Sequence, residues 1–251
     1  MFFAHCNLQC VFCQNYEISR GEVDAAKVFY SSEEAVIDRI AELLPQTENM
    51  LGLVSPSHYA HRIPRLIAHL HDRGLFPTVV YNTNGYDSVE TLRQLAPYVD
   101  IYLPDFKYMD VDLARRYSHA EDYPQVAQAA LQEMFAQKGS SLPTDDNELA
   151  FRGIVVRHLV LPGQVQNSID CLRWIADNLS TNLHVSLMAQ YFPPRELQSR
   201  LPDALGRTLQ EEEYQQVVDA FYALGFHRGW VQDLEANETY RPDFSQKQSF
   251  R

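Results

Sequence analysis

"TVVYNTNGYDSVETLRQL", residues 78–95, packs a strand-like run, a turn and a helix into eighteen positions. Thr78 to Asn82 is β-branched and aromatic, a composition that suits a pleated, half-buried surface. Asn82-Thr83-Asn84-Gly85 then interrupts the run with turn formers, Gly85 relaxing the backbone. Asp87 and Glu90 predict a capped helix that buries Leu92 and Leu95. The stretch reads as one βα unit.

The same rhythm extends in both directions. Strand-like runs fall at MFFA (1–4), MLGLVS (50–55), DIYLPD (100–105), GIVVRHLVL (153–161), LHVSLMAQY (183–191) and GWVQDL (229–234). Between them lie helical stripes: Val36, Ile37, Ile40, Leu43 and Leu44 behind a Ser31/Glu34 capping box, then Ile63, Leu66, Ile67 and Leu70 stopped by Gly74. Val126, Leu131, Met134 and Phe135 end at Gly139. Ile169, Leu172, Ile175 and Leu179 form the next stripe, and Thr208 with Glu211 opens a last helix through Val217, Val218, Phe221 and Leu224. The acidic run Glu211-Glu212-Glu213 suits that helix's first turn and needs no partner to explain it. Six or seven βα units predict an α/β fold on a parallel sheet, as a barrel or part of one, with an open doubly wound sheet as the alternative. Residues 139–153, polar and turn-rich, are expected to form a loop or hairpin insertion within a single domain spanning residues 1–251.

With 251 residues, 45% of them apolar, the chain has ample length for a core. Its 21 Lys and Arg against 33 Asp and Glu give a net charge of −12. An acidic surface without Lys/Arg clusters argues against nucleic acid and anionic membranes as partners. No apolar run is long enough to span a bilayer, and residues 1–5 lack the features of a secretory signal. The expected location is cytoplasmic, where thiols serve metals or catalysis rather than disulfides.

In parallel β/α folds, ligands gather beyond the carboxyl ends of the strands. The groups placed there are Cys6 to Cys13, Ser55-Pro56-Ser57-His58, Asn82 to Gly85, Asp105-Phe106-Lys107, Arg157-His158 and Gln190-Tyr191. All are polar or able to bind metal. Asp105 and Lys107, two apart, share a face, although a surface salt pair would also account for them. An Asx-type turn would account for Asn82 and Asn84. Arg157 interrupts a strongly apolar strand, which is costly unless it is paired or faces a polar interior. Its neighbour His158 should face the other way, as a packed or surface histidine.

"HCNLQCVFCQN", residues 5–15, carries Cys6, Cys10 and Cys13, three of the four cysteines. Buried free thiols on a helix face are one reading, but Asn7, Gln9 and Gln14 interleave. Structural zinc is another, with His5 or His58 as fourth ligand, though no second Cys pair is present. A [4Fe–4S] cluster explains the count better: three thiolates hold three irons and leave the fourth open. Cys171, beside the apolar stripe of its helix, reads as an inert core thiol.

The Cys-x3-Cys-x2-Cys spacing, with Phe12 before the last cysteine, resembles the signature of radical S-adenosylmethionine (SAM) proteins. Together with "LVSPSHY", "YNTNGY", "LPDFKY", "VVRHLVLPG" and "QYFPP", it resembles the pyruvate formate-lyase activating enzyme-related branch, from about residue 2 to the region of Gly225. The resemblance implies a partial (β/α)6 TIM-type barrel, a [4Fe–4S] cluster on Cys6, Cys10 and Cys13, and SAM chelated to the open iron. It implies an oxidoreductase that cleaves SAM reductively to a 5′-deoxyadenosyl radical, an electron donor such as flavodoxin or ferredoxin, and a glycyl radical enzyme as protein substrate. Ser55, Ser57, Asn82, Asn84, Asp105, Lys107 and Arg157 are the expected SAM contacts, Arg157 toward the carboxylate. Two alternatives stay open: radical SAM chemistry on a small molecule or peptide, and a non-enzymatic module stabilised by zinc or an iron–sulfur cluster.

Two features depart from that pattern. Ser55-Pro56-Ser57-His58 stands where the superfamily often carries a Gly-Gly-Glu-like element holding the SAM amine, so neutral hydroxyls replace an anion. His5 stands where relatives usually carry glycine. With only five residues before Cys6, the chain is expected to be shortened at its N-terminus, leaving the cluster more exposed.

Overall fold

In a computed structural model the alternation of strand and helix becomes a six-stranded, all-parallel sheet. The structure describes residues 1–20, 32–194, 201 and 203–234. The strands β1 (Met50–Val54), β2 (Thr78–Thr83), β3 (Ile101–Pro104), β4 (Gly153–Leu159), β5 (His184–Met188) and β6 (Gly229–Val231) lie side by side in chain order. Doubly wound sheets contain a point where the strand order reverses. This sheet has none, and the architecture is α/β and partial-barrel-like.

Among the described residues the α-helices are α1 (Tyr16–Ser19), α2 (Glu33–Leu43), α3 (Ile63–Asp72), α4 (Val89–Leu95), α5 (Val111–Ser118), α6 (Tyr123–Lys138), α7 (Val165–Asn178) and α8 (Glu211–Ala223). The opening βα unit folds as β2, a tight turn and α4. Val79, Tyr81 and Thr83 form its buried face, while Thr78, Val80 and Asn82 alternate on the other. Leu53, Tyr81, Tyr102, Phe106, Tyr108 and Tyr123 are fully buried in the core. Each such side chain contributes about 1.5–3 kcal/mol by leaving water. The turn at Gly85 has φ +81°, and a Cβ there would collide with the Asp105 carbonyl oxygen. Only glycine lets the β2 and β3 loops come this close.

Several expectations need correction. The expected strand at residues 1–4 reduces to one parallel bridge, Phe2 opposite Val54. Three helix caps fall elsewhere. Ser31 lies outside the described residues, and α2 is capped by Ser32, which accepts from Ala35 N–H. Ser88 caps α4, because Asp87 is buried and accepts from the Tyr81 and Thr83 hydroxyls instead. Gln210 and Glu213, rather than Thr208 and Glu211, form the capping box of α8. Glu213 does have partners: Arg207 grips both its carboxylate oxygens at 2.7 Å, and Gly163 N–H donates to it. These contacts pull its carboxyl down to about 2. Helix α5 has no counterpart among the sequence stripes.

Within residues 139–153 a single antiparallel bridge joins Thr144 to Ala150. Among the described residues, no helix is long and apolar enough to cross a membrane.

Candidate functional site

The cysteine loop is held by its apolar residues. Leu8 and Phe12 are buried, and Phe12 meets Tyr117 and Tyr191 edge-on at 6.5 and 6.0 Å. Burying the aromatic that precedes Cys13 pins the loop, while Cys6, Cys10 and Cys13 stay partly exposed. Polar anchors complete the fixing. Val11 N–H donates to Tyr117 O, the Arg20 guanidinium donates to Cys10 O, and Gln14 reaches Gln190 O across the sheet. His58 Nε2 lies 2.6 Å from Ala4 O and holds the segment that leads into the loop. His5 has φ +66°, a left-handed conformation that costs a non-glycine residue strain. This gives a physical reason for glycine to be favoured at that position.

Each thiol has a polar neighbour. Asn84 Nδ2 donates to Cys6 Sγ at 3.3 Å and to Asn7 Oδ1 at 2.7 Å. Ser118 Oγ donates to Cys10 Sγ at 3.0 Å, and Ser19 Oγ lies 3.4 Å from Cys13 Sγ. Loss of hydration pushes the Cys10 thiol up to about 12, with Lys107 opposing and Cys13 and Cys6 adding to the rise. Burial likewise raises Cys13. The three sulfurs are therefore electrostatic neighbours. Cys171, by contrast, is fully buried on α7.

The second half of the site is a half-buried ion trio. Asp105 lies directly opposite Arg157 in the parallel register, so their side chains meet. Arg157 Nη2 stands 2.6 Å from Asp105 Oδ1, and Lys107 Nζ stands 2.6 Å from Oδ2. Arg157 also donates to Asn82 Oδ1 at 2.8 Å. The side chains of Asp105 and Lys107 are only 16% and 17% exposed, so this is no surface pair. Burial alone would raise the Asp105 carboxyl, but Arg157 and Lys107 override it and hold it below its ordinary value. For Lys107, burial is outweighed by Asp105, and its pKa rises. One carboxylate against two cations leaves a surplus positive charge within electrostatic reach of Cys10. Arg157 Nε is buried with no hydrogen-bond partner.

Tyr123, which the sequence did not single out, ties these loops together. Its hydroxyl lies 2.9 Å from both Asn84 O and Asp105 O and accepts from Lys107 N–H. Ser57 turns to Thr83 Oγ1 at 3.2 Å, and Thr83 in turn bonds buried Asp87. Ser55, at φ +54°, donates its N–H to Asn82 O. Asn82, Asp105, Lys107 and Arg157 thus form one unit, Asn84 joins the cysteine loop, and Ser57 joins a separate hydroxyl network.

His158 is buried, with Nδ1 2.6 Å from Phe106 O. Burial lowers its pKa to about 4. The unfolded imidazole takes up a proton below about 6.5, whereas the folded one resists until about 4. Its contribution is complete above the unfolded value and is lost as pH falls across that window, a cost of about 3 kcal/mol. Urea unfolding at pH 7 and pH 4 should show this loss in the wild type and a correspondingly smaller one in His158→Asn. Equal losses in the two proteins would contradict the assignment.

Among the described residues, no three His, Cys, Asp or Glu side chains converge on a point where one metal ion would hold them all. Cys6, Cys10 and Cys13 are free thiols on one loop, a soft donor set of the kind that iron–sulfur clusters take. An apolar groove of about 850 Å³ runs between α2 and the edge of β1, and none of the three cysteines lines it.

No family model matches the chain. The chain is similar to an uncharacterized protein of Methanocaldococcus jannaschii, with 30% identity over 228 residues, covering 87% of this chain and 60% of the relative. It therefore spans less than two thirds of that relative's length.

Proposed function

We propose that the chain is a radical SAM enzyme, with Cys6, Cys10 and Cys13 holding a [4Fe–4S] cluster that leaves one iron open for SAM. The observation that carries this reading is the Cys-x3-Cys-x2-Cys loop, which presents three free, partly exposed thiols, with Lys107 within electrostatic reach of Cys10 and Cys13. Held by Cys6, Cys10 and Cys13 and reduced by an external donor, the cluster would supply the one-electron cleavage of SAM to methionine and a hydrogen-abstracting 5′-deoxyadenosyl radical.

The chain's own residues bind and orient. By resemblance the Arg157 guanidinium meets the SAM carboxylate, and Asp105 holds it in place through an ion pair at Nη2. Lys107 keeps the surplus charge beside Cys10. Asn84 positions the Cys6 end of the loop, and Tyr123 holds the β2 and β3 loops in register. Ser57 contributes through the Thr83 network and Ser55 through its backbone. By resemblance, the hydrogen donor is a glycine of a glycyl radical enzyme, the electron comes from a flavodoxin- or ferredoxin-type donor, and the compartment is the cytoplasm.

The test is anaerobic incubation of the reconstituted protein with dithionite and SAM. Formation of 5′-deoxyadenosine is the expected result. A protein loaded with about four irons per chain that forms none would overturn the enzymatic reading. Adding a candidate glycyl radical enzyme should then generate a glycine-centred radical in that partner.

A further inference from the structure

Each cysteine sulfur meets a polar side chain from a different part of the chain: Asn84 after β2, Ser118 at the end of α5, and Ser19 at the end of α1. The arrangement at Cys10 goes furthest. Ser118 is buried, and its Oγ lies 2.8 Å from the hydroxyl of fully buried Tyr108. The cysteine loop is laid against this end of α5 by Val11 N–H to Tyr117 O and Gln9 N–H to Ser118 O, which brings Cys10 beside Ser118.

We propose that Ser118, relayed by Tyr108 and assisted by Ser19 and Asn84, sets the reduction potential of the cluster by donating hydrogen bonds to its thiolates. This rests on the cluster reading above. A metal-bound thiolate carries no proton and can only accept, so the direction of the relay is fixed: Tyr108 donates to Ser118, and Ser118 donates to Cys10 Sγ. Reduction of the cluster by one electron from an external low-potential donor adds negative charge, which the thiolates share. Donors aimed at sulfur therefore stabilise the reduced form more than the oxidised form and raise the potential. The effect is strongest where water cannot compete, as at the buried Ser118–Tyr108 pair. Ser118 is a positioning residue in this account and touches no substrate.

The test is an anaerobic potentiometric titration of reconstituted protein, followed by visible absorbance and by electron paramagnetic resonance. Ser118→Ala should lower the equilibrium constant for reduction about fivefold, a shift of about −40 mV at 59 mV per tenfold for a one-electron couple. Tyr108→Phe should shift it in the same direction by less, because Ser118 keeps its own proton to donate. Ser19→Ala, on a partly exposed helix end, should also lower it. If Ser118→Ala does not retain iron, Tyr108→Phe and Ser19→Ala decide the matter by the same criterion. A wild type that binds the cluster, with variants whose potentials match it, would overturn this inference alone. A wild type that retains no iron would overturn the cluster reading and this inference with it.

Discussion

Cys10→Ser is expected to reduce iron in the reconstituted protein from about four atoms per chain to below one, and SAM cleavage to background. A serine hydroxyl is a harder and far more basic donor than a thiolate, and iron–sulfur clusters select soft sulfur ligands. The native thiol already needs help to ionise, since loss of hydration raises it to about 12. Iron supplies that help by displacing the proton outright, and a hydroxyl in the same desolvated place gains much less. The fold should survive, because serine is slightly smaller and keeps an oxygen where Cys10 Sγ meets Ser118 Oγ. Cys171→Ser is the matching control. It places a hydroxyl in the core of α7, costing about 1–3 kcal/mol of stability while iron content stays unchanged. Iron retained at wild-type level by Cys10→Ser would remove that residue from the ligand set.

Asp105→Asn should destabilise the protein by about 3 kcal/mol, the low end of the cost of removing one partner from a buried ion pair. Asparagine keeps the shape and one acceptor oxygen but leaves Lys107 and Arg157 without a counter-charge, with side chains only 17% and 25% exposed. The sign of the pH dependence follows from the shifts. The Asp105 carboxyl is held low, so its contribution is complete above the ordinary carboxylate range and is lost only as pH falls through the lower folded value. Lys107 is held high, so its contribution is complete below its ordinary value and is lost as pH rises through the folded one. The difference between wild type and Asp105→Asn should therefore stay flat from about pH 5 to pH 9. Adding Lys107→Met should recover part of the loss by deleting one unpaired cation. Urea unfolding measures all of this; a cost under about 1 kcal/mol would show that water, rather than Asp105, compensates the two cations.

Much of this could be read from residue order alone, and the reasons differ from element to element. The βα unit at residues 78–95 was legible because its strand period, turn residues and helix stripe agree with one another. The trio was partly legible, since an arginine inside the apolar run GIVVRHLVL requires a partner. What paired it was hidden, because Asp105 meets Arg157 only through strand register. Helix caps slipped by one or two positions where Ser, Asp and Glu crowd together and several S-x-x-E-like frames compete, as at Ser31/Ser32 and Asp87/Ser88. Helix α5 escaped because its buried face is short and mixed, Leu113, Ala114, Tyr117 and Ser118. With it went Ser118, whose bond to Cys10 joins residues 108 positions apart. No local pattern encodes such a contact.

The most direct test of the central claim is low-temperature electron paramagnetic resonance of the anaerobically reconstituted, dithionite-reduced protein, recorded before and after addition of SAM. The account predicts the signal of a reduced [4Fe–4S] cluster whose g values move when SAM occupies the open iron. A protein without the signal, or a signal that SAM leaves unchanged, would contradict it.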